Sequence, residues 1–337
     1  MTYKVAIIGA GAIGSKRAKA VANNSRSKLV LVSDIDNERA KLLAQKYDCK
    51  AVTHWKNEVT RDRIDVAIVA TPNKYLLPIC TYALEQSIHV LCEKPLGRNA
   101  REARELVDKA QQSKAVLKTG FNHRHHPAIW KAKQLADAKA IGTIMCMRCR
   151  YGHGGRFGYE KEWRAKKDVC GGGELLDQGV HVVDLFRWFT GEFSDAFGYT
   201  QTYFWNMDVE DNAFALFRTK DGIVASMHTS WTQWKNLFSF EIFGKNGVLA
   251  IEGLGGSYGL ETLVWAKRKP EFGVPLVQKF EFPGEDMSWQ EEWAEFVSAI
   301  ENRREPLGNS WDGYRANRMI DAVYESSATG KIVPIKE

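Results

Sequence analysis

A glycine-rich turn near the N-terminus constrains the fold of this chain more than any other feature of the sequence. Gly9, Gly11 and Gly14 form the pattern Gly-x-Gly-x-x-Gly directly after an apolar run at residues 4–8 and directly before a helical stretch. Glycines in this context permit a tight strand-to-helix turn and let backbone N–H groups approach a pyrophosphate at the positive end of the helix. The turn therefore predicts a Rossmann domain that binds a dinucleotide.

The first 120 residues alternate short β-rich runs with helical stretches, which is typical of a doubly wound parallel sheet. Strands are predicted at residues 4–8, 29–33, 66–70, 89–92 and 116–119, and helices at residues 13–23, 38–47, 77–86 and 100–112. Asn99 precedes the last of these helices and is an acceptable N-cap. The N-terminal part of the chain is accordingly assigned to the α/β class.

The pattern changes after residue 121. Strands rich in aromatic and β-branched residues are predicted at residues 143–151, 213–218, 223–231, 237–243 and 248–252, and helices return near residues 289–302 and 311–325. Asp221-Gly222 and Asn246-Gly247 are hairpin signals within this region. Because 337 residues exceed the roughly 250–300 that one core usually serves, we predict two domains, residues 1–121 and 122–337, the second an α+β domain with an antiparallel sheet.

Asp34 bears on the identity of the cofactor, because it ends the second predicted strand, 20 residues after Gly14. A carboxylate at this position accepts hydrogen bonds from the adenosine ribose hydroxyls and repels the 2′-phosphate of NADP. Ile35 offers no positive charge to bind that phosphate, although Arg39 lies close by in sequence. We therefore expect NAD, with NADP as the weaker alternative. An ordinary turn aspartate is the interpretation that gives Asp34 no role at a cofactor.

Lys94 follows the predicted strand that ends at Cys92, within the run Glu93-Lys94-Pro95. Open α/β sheets bind their ligands at the carboxyl ends of the strands, and proline restricts the residue before it to extended geometry. The ammonium group is thus expected to project from a fixed place toward a ligand, where it would stabilise developing alkoxide charge. A solvated surface lysine is the alternative.

Asp177 and His181 follow three glycines at residues 171–173 and lie four residues apart, so on a helix they would share one face. Alcohol oxidation requires a base that takes the hydroxyl proton, and histidine titrates near neutral pH. A helix-start aspartate and a buried structural histidine explain the same two residues without catalysis. Taken singly, each residue fits this structural alternative better.

Together the motifs resemble those of the glucose–fructose oxidoreductase, inositol dehydrogenase and rhizopine-catabolism (Gfo/Idh/MocA) family over nearly the whole chain. The matching segments are the glycine-rich turn, Thr71-Pro72-Asn73, Glu93-Lys94-Pro95, Gly120-Phe121-Asn122 with Arg124, and the glycine run that leads into Asp177 and His181. The resemblance implies an NAD(H)-dependent oxidoreductase that moves a hydride between nicotinamide and a carbinol or ketone carbon of a sugar, an inositol or a nucleotide-sugar. It also implies a second domain with a large, open, mostly antiparallel sheet, whose outer face builds a homodimer or homotetramer.

The resemblance assigns roles to individual residues. Lys94, Asp177 and His181 correspond to the family's catalytic triad, with His181 as proton acceptor or donor and the other two as residues that bind the reacting hydroxyl. The expected cofactor contacts are Gly9, Gly11, Ala12, Ile13, Gly14, Asp34, Thr71, Pro72, Asn73, Glu93 and Lys94, and the expected substrate contacts are the triad with Asn122 and Arg124. Family members often have a histidine three residues after the Asn of Thr-Pro-Asn, where this chain has Leu76, so one contact near the cofactor differs.

Residues 151–164 form a glycine-rich segment that includes Arg156, Tyr159, Trp163 and Arg164. An aromatic face and guanidinium groups suit a sugar ring with anionic substituents. We therefore expect this segment to lie over the substrate, with Trp163 and Arg164 in contact with it. A solvated basic loop is the alternative.

The histidines and cysteines indicate neither a metal site nor a disulfide framework. His123, His125 and His126 are adjacent and lack acidic or cysteine partners nearby in sequence, so they would converge on one ion only if the backbone turned sharply. Cys146 and Cys149 form a lone Cys-x-x-Cys in a predicted strand, where an odd spacing sends the side chains to opposite faces. We expect all six cysteines to be free thiols.

Composition and charge exclude several classes of protein. An apolar fraction of 44% and a charged fraction of 26% match a globular protein rather than a disordered or collagen-like chain. The net charge of +6 comes from interspersed lysines and arginines without a long basic block, which mildly favours an anionic ligand and only weakly favours nucleic acid. We expect no nucleic-acid partner. The sequence shows no apolar run near the roughly 18 residues of a membrane span. It begins with a strand and turn rather than a secretion signal, so we expect a cytoplasmic protein.

Two alternative functions fit the same scaffold. A glycosidase could use bound NAD to oxidise a sugar transiently, eliminate and re-reduce, which would leave NADH absorbance unchanged. A non-catalytic sensor could keep the cofactor-binding fold, as one sugar-pathway repressor related to this family does. Retention of all three triad positions argues against the sensor.

Overall fold

The computed structural model describes residues 2–336 and places them in two compact units. The first unit extends to Asn122 and includes Trp289–Asn317, while the second comprises His123–Ser288 and the chain from Arg318 onward. Each unit is built around its own β-sheet. The chain leaves the first unit at Asn122, next to the predicted boundary at residue 121.

Six parallel strands form the sheet of the first unit: β1 (Tyr3–Ile8), β2 (Ser27–Ser33), β3 (Lys50–Val52), β4 (Val66–Val69), β5 (His89–Glu93) and β6 (Leu117–Gly120). Their order across the sheet is β3-β2-β1-β4-β5-β6. Val5 of β1 pairs with Leu29 on one side and with Val66 on the other, and all three side chains are buried. The order reverses between β1 and β4, which is the arrangement of a Rossmann sheet and confirms the prediction.

Four helices connect these strands: α1 (Ala12–Ala22), α2 (Asn37–Lys46), α3 (Leu76–Glu85) and α4 (Ala100–Gln112). The predicted N-cap of α4 is confirmed, since the Asn99 side chain accepts a hydrogen bond from the Glu102 backbone N–H at 3.0 Å. Asp36 caps α2 by accepting from the N–H groups of Glu38 and Arg39. Both caps satisfy N–H groups that have no partner within the helix.

Nine strands form the sheet of the second unit: β7 (Ile144–Gly152), β8 (Asp195–Gln201), β9 (Asn212–Arg218), β10 (Val224–Ser230), β11 (Leu237–Gly244), β12 (Gly247–Glu252), β13 (Glu261–Lys267), β14 (Leu276–Phe282) and β15 (Val333–Pro334). Their order is β14-β13-β12-β11-β7-β10-β9-β8-β15. Every neighbouring pair is antiparallel except β7 with β10. The mostly antiparallel sheet is confirmed, and β8, β13, β14 and β15 extend it beyond the predicted strands.

Four helices lie between β6 and β8 in the chain: α5 (Pro127–Asp137), α6 (Lys167–Cys170), α7 (Glu174–Asp177) and α8 (Gly179–Thr190). Of these, α5, α7 and α8 pack against strands of this sheet. The Phe186 ring of α8 packs on Phe217 of β9 and on Phe240 of β11, with centroids 6.3 and 5.9 Å apart. Phe214 and Leu216 alternate with the buried residues of β9 and are exposed on the opposite face.

Asp177 and His181 do not lie on one continuous helix, which corrects the prediction. Asp177 is the last residue of α7, and His181 lies in the first turn of α8. The backbone N–H of Gln178 bonds the carbonyl of Glu174, but that of His181 bonds the carbonyl of Gln178. The backbone hydrogen bonds thus change from a spacing of four residues to a spacing of three at Gln178. The tighter turn with the shorter spacing separates the two helices.

The last helices explain why the division into units differs from the predicted domains. They are α9 (Ser288–Glu301) and α10 (Ser310–Thr329). Trp293 and Phe296 of α9 are buried in one core cluster with Val5 of β1, and Trp293 Nε1 donates to Ser27 Oγ at 2.9 Å. Residues 289–317 therefore belong to the first unit rather than to a continuous domain at 122–337.

The cysteines follow the prediction. All six are free thiols, and Cys149 is buried in β7 while Cys146 is only partly covered. Among the helices of residues 2–336, none has both the length and the apolar character needed to cross a membrane.

Candidate active site

The glycine-rich turn between β1 and α1 has the shape that a pyrophosphate requires. Gly9 has a φ of +104°, and a Cβ there would lie 2.3 Å from the carbonyl oxygen of Ala70. A Cβ on Gly14 would lie 1.9 Å from the Gly9 carbonyl oxygen, so a side chain is excluded where the helix meets the strand. A Cβ on Gly11 would meet nothing within 4 Å. The open space at Gly11 leaves room for a ligand to approach the backbone, which fits the dinucleotide.

Asp34 lies directly after β2 and is tied to this turn. Its Oδ2 accepts from the Ala10 N–H at 2.7 Å, and its Oδ1 accepts from the Asp36 N–H at 2.9 Å. Ile35 is almost fully exposed, and the Arg39 guanidinium pairs with the Asp36 carboxylate at 3.0 Å. The Asp34 carboxylate is thus fixed beside the glycine-rich turn. The Arg39 guanidinium, a nearby cation that would suit the 2′-phosphate of NADP, already pairs with Asp36.

Thr71, Pro72 and Asn73 follow β4, at the same end of the sheet. Thr71 Oγ1 is buried and has no hydrogen-bond partner within residues 2–336, so it is a polar atom that a bound ligand could satisfy. Asn73 is buried at the start of a short 3₁₀ helix. Leu76, where relatives often have histidine, is fully buried and packs in the core around β4. This position therefore contributes packing rather than a polar contact.

Glu93, the last residue of β5, directly precedes Lys94 and forms a buried ion pair with Arg17 of α1. Arg17 Nε lies 2.6 Å from Glu93 Oε1, and Arg17 Nη1 lies 2.5 Å from Glu292 Oε2. The guanidinium carbon also lies 4.6 Å from the centre of the Trp289 ring. Burial raises the pKa of Glu93 above its ordinary value, and Arg17 opposes this shift. The helix of the glycine-rich turn is thus linked to the strand end that carries Lys94.

Gly120, from the Gly-Phe-Asn motif, makes room for this ion pair. A Cβ on Gly120 would lie 2.9 Å from Arg17 Nη2 and 3.0 Å from Glu93 Oε2. Lys118, two residues earlier on β6, is also buried, and its Nζ lies 3.6 Å from Glu292 Oε1. The glycine of the motif therefore has a steric role in the first unit.

In the second unit, His123 and His181 stack face to face. Their ring centroids are 3.7 Å apart and their planes differ by 15°. His123 Nε2 lies 3.1 Å from the Tyr151 hydroxyl oxygen of β7. Both imidazoles are almost completely buried. The predicted proton acceptor thus sits in a defined aromatic environment on α8.

Arg124, predicted to contact substrate, is buried against α8. Its Nε and Nη2 donate to the two carboxylate oxygens of Asp184 at 2.8 and 2.5 Å. Such a two-point pair is geometrically specific and holds the start of the second unit on α8. The structure therefore gives Arg124 a supporting position, and its contact with substrate stays a prediction.

The segment at residues 151–164 does reach Asp177. Arg164 Nε lies 3.4 Å from Asp177 Oδ2, and the guanidinium carbon lies 4.5 Å from the centre of the Trp163 ring. Glu162 forms ion pairs with both arginines of the segment, since its Oε2 lies 3.6 Å from Arg164 Nη1 and 2.7 Å from Arg156 Nη2. The two predicted substrate contacts, Trp163 and Arg164, are thereby placed beside the predicted catalytic aspartate.

Glu210 supports the glycine run before Asp177, and no local sequence pattern identified it. Its carboxylate accepts from the N–H groups of Gly173 and Leu175, both at 3.0 Å, and from the Tyr324 hydroxyl at 2.8 Å. A Cβ on Gly172 would lie 2.1 Å from the Tyr324 hydroxyl oxygen, so glycine is needed for this approach. The acidic pair of residues 210–211, directly before β9, is the signal in the sequence that marks this position.

Three tyrosines near these residues remain protonated. Burial raises the pKa of Tyr151 and Tyr159 well above the ordinary value, and it raises the pKa of Tyr258 to about 12. A phenol with a raised pKa donates a hydrogen bond but does not accept a proton near neutral pH. These groups are therefore suited to bind hydroxyls rather than to act as the base.

The predicted residues are divided between the units. The first unit carries the glycine-rich turn, Asp34 and Lys94, which follows β5 and forms a cis peptide bond with Pro95. The second carries Asp177 and His181. Within residues 2–336, no group of three or more histidine, cysteine, aspartate or glutamate side chains is arranged to hold a metal ion.

Two family descriptions match the chain. Residues 3–121 match the oxidoreductase family with an NAD-binding Rossmann fold, and residues 129–250 match the GFO/IDH/MocA C-terminal domain. The chain belongs to the GFO/IDH/MocA family. The resemblance inferred from the motifs is thereby confirmed, and the protein is an NAD-dependent oxidoreductase.

Curated relatives share about a quarter of the sequence. Levoglucosan dehydrogenase of Pseudarthrobacter phenanthrenivorans is 26% identical over 66% of this chain and 64% of that protein, so the chain spans just under two thirds of this relative. Inositol 2-dehydrogenase of Rubrobacter xylanophilus is 23% identical over 97% of this chain and 91% of the relative. D-glucoside 3-dehydrogenase of Escherichia coli is 24% identical over 98% and 97%.

Solved structures of other proteins share the fold of this chain. Levoglucosan dehydrogenase in complex with NADH aligns over 100% of both chains with a TM-score of 0.91 and 23% identity. GenD2 from gentamicin A biosynthesis, in complex with NAD, aligns over 100% of this chain and 97% of its own with a TM-score of 0.86 and 24% identity. This chain therefore has the same fold as these two proteins.

Proposed function

We propose that this enzyme transfers a hydride between NAD(H) and a carbinol or ketone carbon of an uncharged cyclic sugar or polyol. The observation that carries the proposal is the setting of His181, a buried imidazole in the first turn of α8, stacked on a second ring and preceded by Asp177 at the end of α7. Lys94, directly after β5, supplies the cation expected beside the reacting hydroxyl.

The residues of the chain account for the movement of the proton. Bound NAD would supply the hydride acceptor for oxidation, and bound NADH would supply the hydride donor for reduction. During oxidation neutral His181 takes the hydroxyl proton at Nε2, since Nδ1 is buried. The Lys94 ammonium and the Asp177 carboxylate bind the reacting oxygen and orient its hydroxyl. During reduction, protonated His181 returns the proton to the former carbonyl oxygen, which thereby becomes the new hydroxyl.

The charges around Asp177 favour an uncharged substrate. Arg164 pairs with Asp177 and with Glu162, and Arg156 pairs with Glu162. A phosphate or carboxylate on the substrate would have to compete with these carboxylates for the two guanidinium groups and would be repelled by them. We therefore propose that this segment binds neutral rings and not the anionic substituents that its sequence led us to expect.

The names of the relatives support the same substrate class. Levoglucosan, inositol and D-glucosides, on which the named relatives act, are neutral ring compounds that carry several hydroxyl groups. The partly buried Tyr258 hydroxyl, which stays protonated, is suited to donate to such groups. Nucleotide-sugars and sugar phosphates become the less favoured substrates.

A substrate screen tests the proposal. NADH formation would be measured with matched neutral and anionic pairs: an inositol and its monophosphate, a methyl glucoside and the corresponding glucuronide, and a free sugar and its 6-phosphate. We expect kcat/KM to favour the neutral member of each pair by at least about tenfold, equivalent to roughly 1.4 kcal/mol. A nucleotide-sugar or sugar phosphate as the best substrate would contradict the substrate class but not the oxidoreductase chemistry.

The same screen separates the alternative functions. An NAD-using glycosidase would release the aglycone from a glucoside without net NADH formation, because the hydride returns to the sugar. A sensor would bind NAD and sugar in calorimetry but form no product from any substrate. Net NADH formation from a polyol would exclude both.

We propose that the exposed face of the nine-stranded sheet joins two or four copies of the chain. Tyr199, Phe214, Leu216 and Val224 are exposed there and lie on neighbouring strands. Contiguous exposed apolar residues of this kind mark interaction surfaces. Leu216→Glu should convert the dimer or tetramer into monomers in light scattering, and a monomeric unmodified protein would refute the proposal.

A further inference from the structure

The stacked pair of His123 and His181 is held from both sides. His123 lies in the short 3₁₀ helix Asn122–His125, and its ring is fixed by the Tyr151 hydroxyl at 3.1 Å. The Tyr151 ring packs edge-on against Phe238, with centroids 5.3 Å apart and an angle of 82° between the planes. The ring that faces His181 thus cannot turn without breaking contacts with two strands.

The backbone of His123 is also fixed relative to His181. The next residue, Arg124, makes the two-point ion pair with Asp184, three residues after His181 on α8. Two consecutive residues therefore contact two positions on one helix. This double attachment keeps the two imidazoles parallel rather than merely close.

We propose that His123 is a positioning residue that fixes the ring plane of His181, and this inference rests on the proposed function. The terminal torsion of a histidine side chain has broad minima, so an unsupported ring samples many planes. A general base must lie in the line of the hydroxyl proton, and a misplacement of about 1 Å lowers rates by roughly 10². Stacking against a locked ring aims His181 Nε2 in one direction.

The alternative role for the His123 ring is to fill space in the aromatic cluster that it forms with Tyr151 and Phe238. The two roles differ in what they require. Filling space requires volume, which leucine also supplies, whereas fixing a plane requires a flat ring. The Tyr151 hydroxyl contributes only to the second role, because it orients the ring without filling additional space, and its removal should cost less activity than removal of the flat ring.

The test compares three variants in steady-state kinetics. His123→Leu keeps apolar volume without a flat ring and should lower kcat by roughly 10², with the KM of the polyol and the Kd of NAD within about twofold. His123→Phe keeps the stack and should retain kcat within about tenfold, as should Tyr151→Phe, which keeps both rings. Equal activity of His123→Leu and His123→Phe would refute the proposal.

His125→Leu is the matched control. His125 lies in the same 3₁₀ helix and is similarly buried, but its ring stacks on Trp130, with ring centroids 6.4 Å apart. Its kcat should equal that of the unmodified enzyme. If circular dichroism shows that His123→Leu does not fold, His123→Met replaces it as the non-aromatic variant with the same expected loss.

A double mutant separates failure of this inference from failure of the proposed function. In a His181→Asn background there is no base to aim, so His123→Leu should lower the residual rate no further. If the double mutant loses the product of the two single-variant losses, His123 acts independently of His181, and the inference is overturned. Full activity of His181→Asn alone would instead overturn the proposed function, whatever the His123 variants do.

Discussion

Arg17 and Glu93 form a buried ion pair, 2.6 Å between Nε and Oε1, that joins the helix after the glycine-rich turn to the residue before Lys94. Arg17 also contacts Glu292 at 2.5 Å, so one guanidinium neutralises two buried carboxylates. Removing one member of a buried pair leaves a charge without compensation in a place of low polarity. The first unit therefore depends on Arg17 for stability as well as for the position of Lys94.

Arg17→Met should lower the free energy of unfolding by about 3–5 kcal/mol, because Glu93 loses its ion-pair partner and Glu292 keeps only the more distant Lys118. Arg26→Met is the control, since Arg26 pairs with Glu301 at the surface and should change stability by less than about 1 kcal/mol. Denaturant unfolding of both variants checks this. Equal stability of the two variants would show that the buried pair contributes little.

Glu210→Ala should reduce stability and turnover together. The N–H groups of Gly173 and Leu175 would lose their acceptor, at about 1–3 kcal/mol for each buried group, and the run that leads to Asp177 would loosen. Tyr324→Phe removes only the third hydrogen bond to Glu210 and should have the smaller effect. Thermal unfolding and kcat measured on both variants test the order; a larger effect of Tyr324→Phe would contradict it.

Lys94→Ala should lower kcat by about two orders of magnitude while the affinity for NAD stays nearly unchanged, because the ammonium acts on charge that develops in the transition state. Lys74→Ala, which changes a lysine after β4 in the same unit, serves as a comparison. Single-turnover rates and calorimetric NAD titration distinguish the two effects. Normal turnover of Lys94→Ala would make Lys94 an ordinary surface lysine.

NAD should bind more tightly than NADP because the Asp34 carboxylate is held beside the glycine-rich turn by Ala10. Asp34→Ser combined with Ile35→Arg removes the negative charge and adds a cation, which should shift the preference toward NADP. Calorimetry with both dinucleotides decides it. Equal or tighter binding of NADP to the unmodified enzyme would remove the argument from Asp34.

The Rossmann half could be predicted because its signals are local. The glycine-rich turn, the alternation of strands and helices and the cap at Asn99 each depend on residues close together in sequence. The hairpins of the second sheet were local signals for the same reason. The edge strand β15 and its neighbour β8 carry weaker sequence patterns, so they are recognised only in the structure.

The supports of the candidate site could not be predicted, because they join residues far apart in sequence. Glu210 reaches Gly173, and His123 stacks on His181, through contacts that no spacing rule encodes. The domain division is a further example. The apolar face of α9, which carries Trp293, fits against either sheet, so the sequence pattern does not say which unit contains it. The break between α7 and α8 arises from a single change in hydrogen bonding at Gln178.

The central claim is that His181 accepts the hydroxyl proton, and the most direct test is the pH dependence of NADH formation by the unmodified enzyme and by His181→Asn. Only the neutral imidazole accepts a proton, so the rate should fall as pH drops through the His181 pKa and level off above it. His181→Asn should lose roughly 10² to 10⁴ in rate together with this acidic limb, while NAD binding survives. A variant that keeps both the limb and most of its activity would contradict the account. So would a rate that rises continuously toward pH 12, where the Tyr258 phenol titrates.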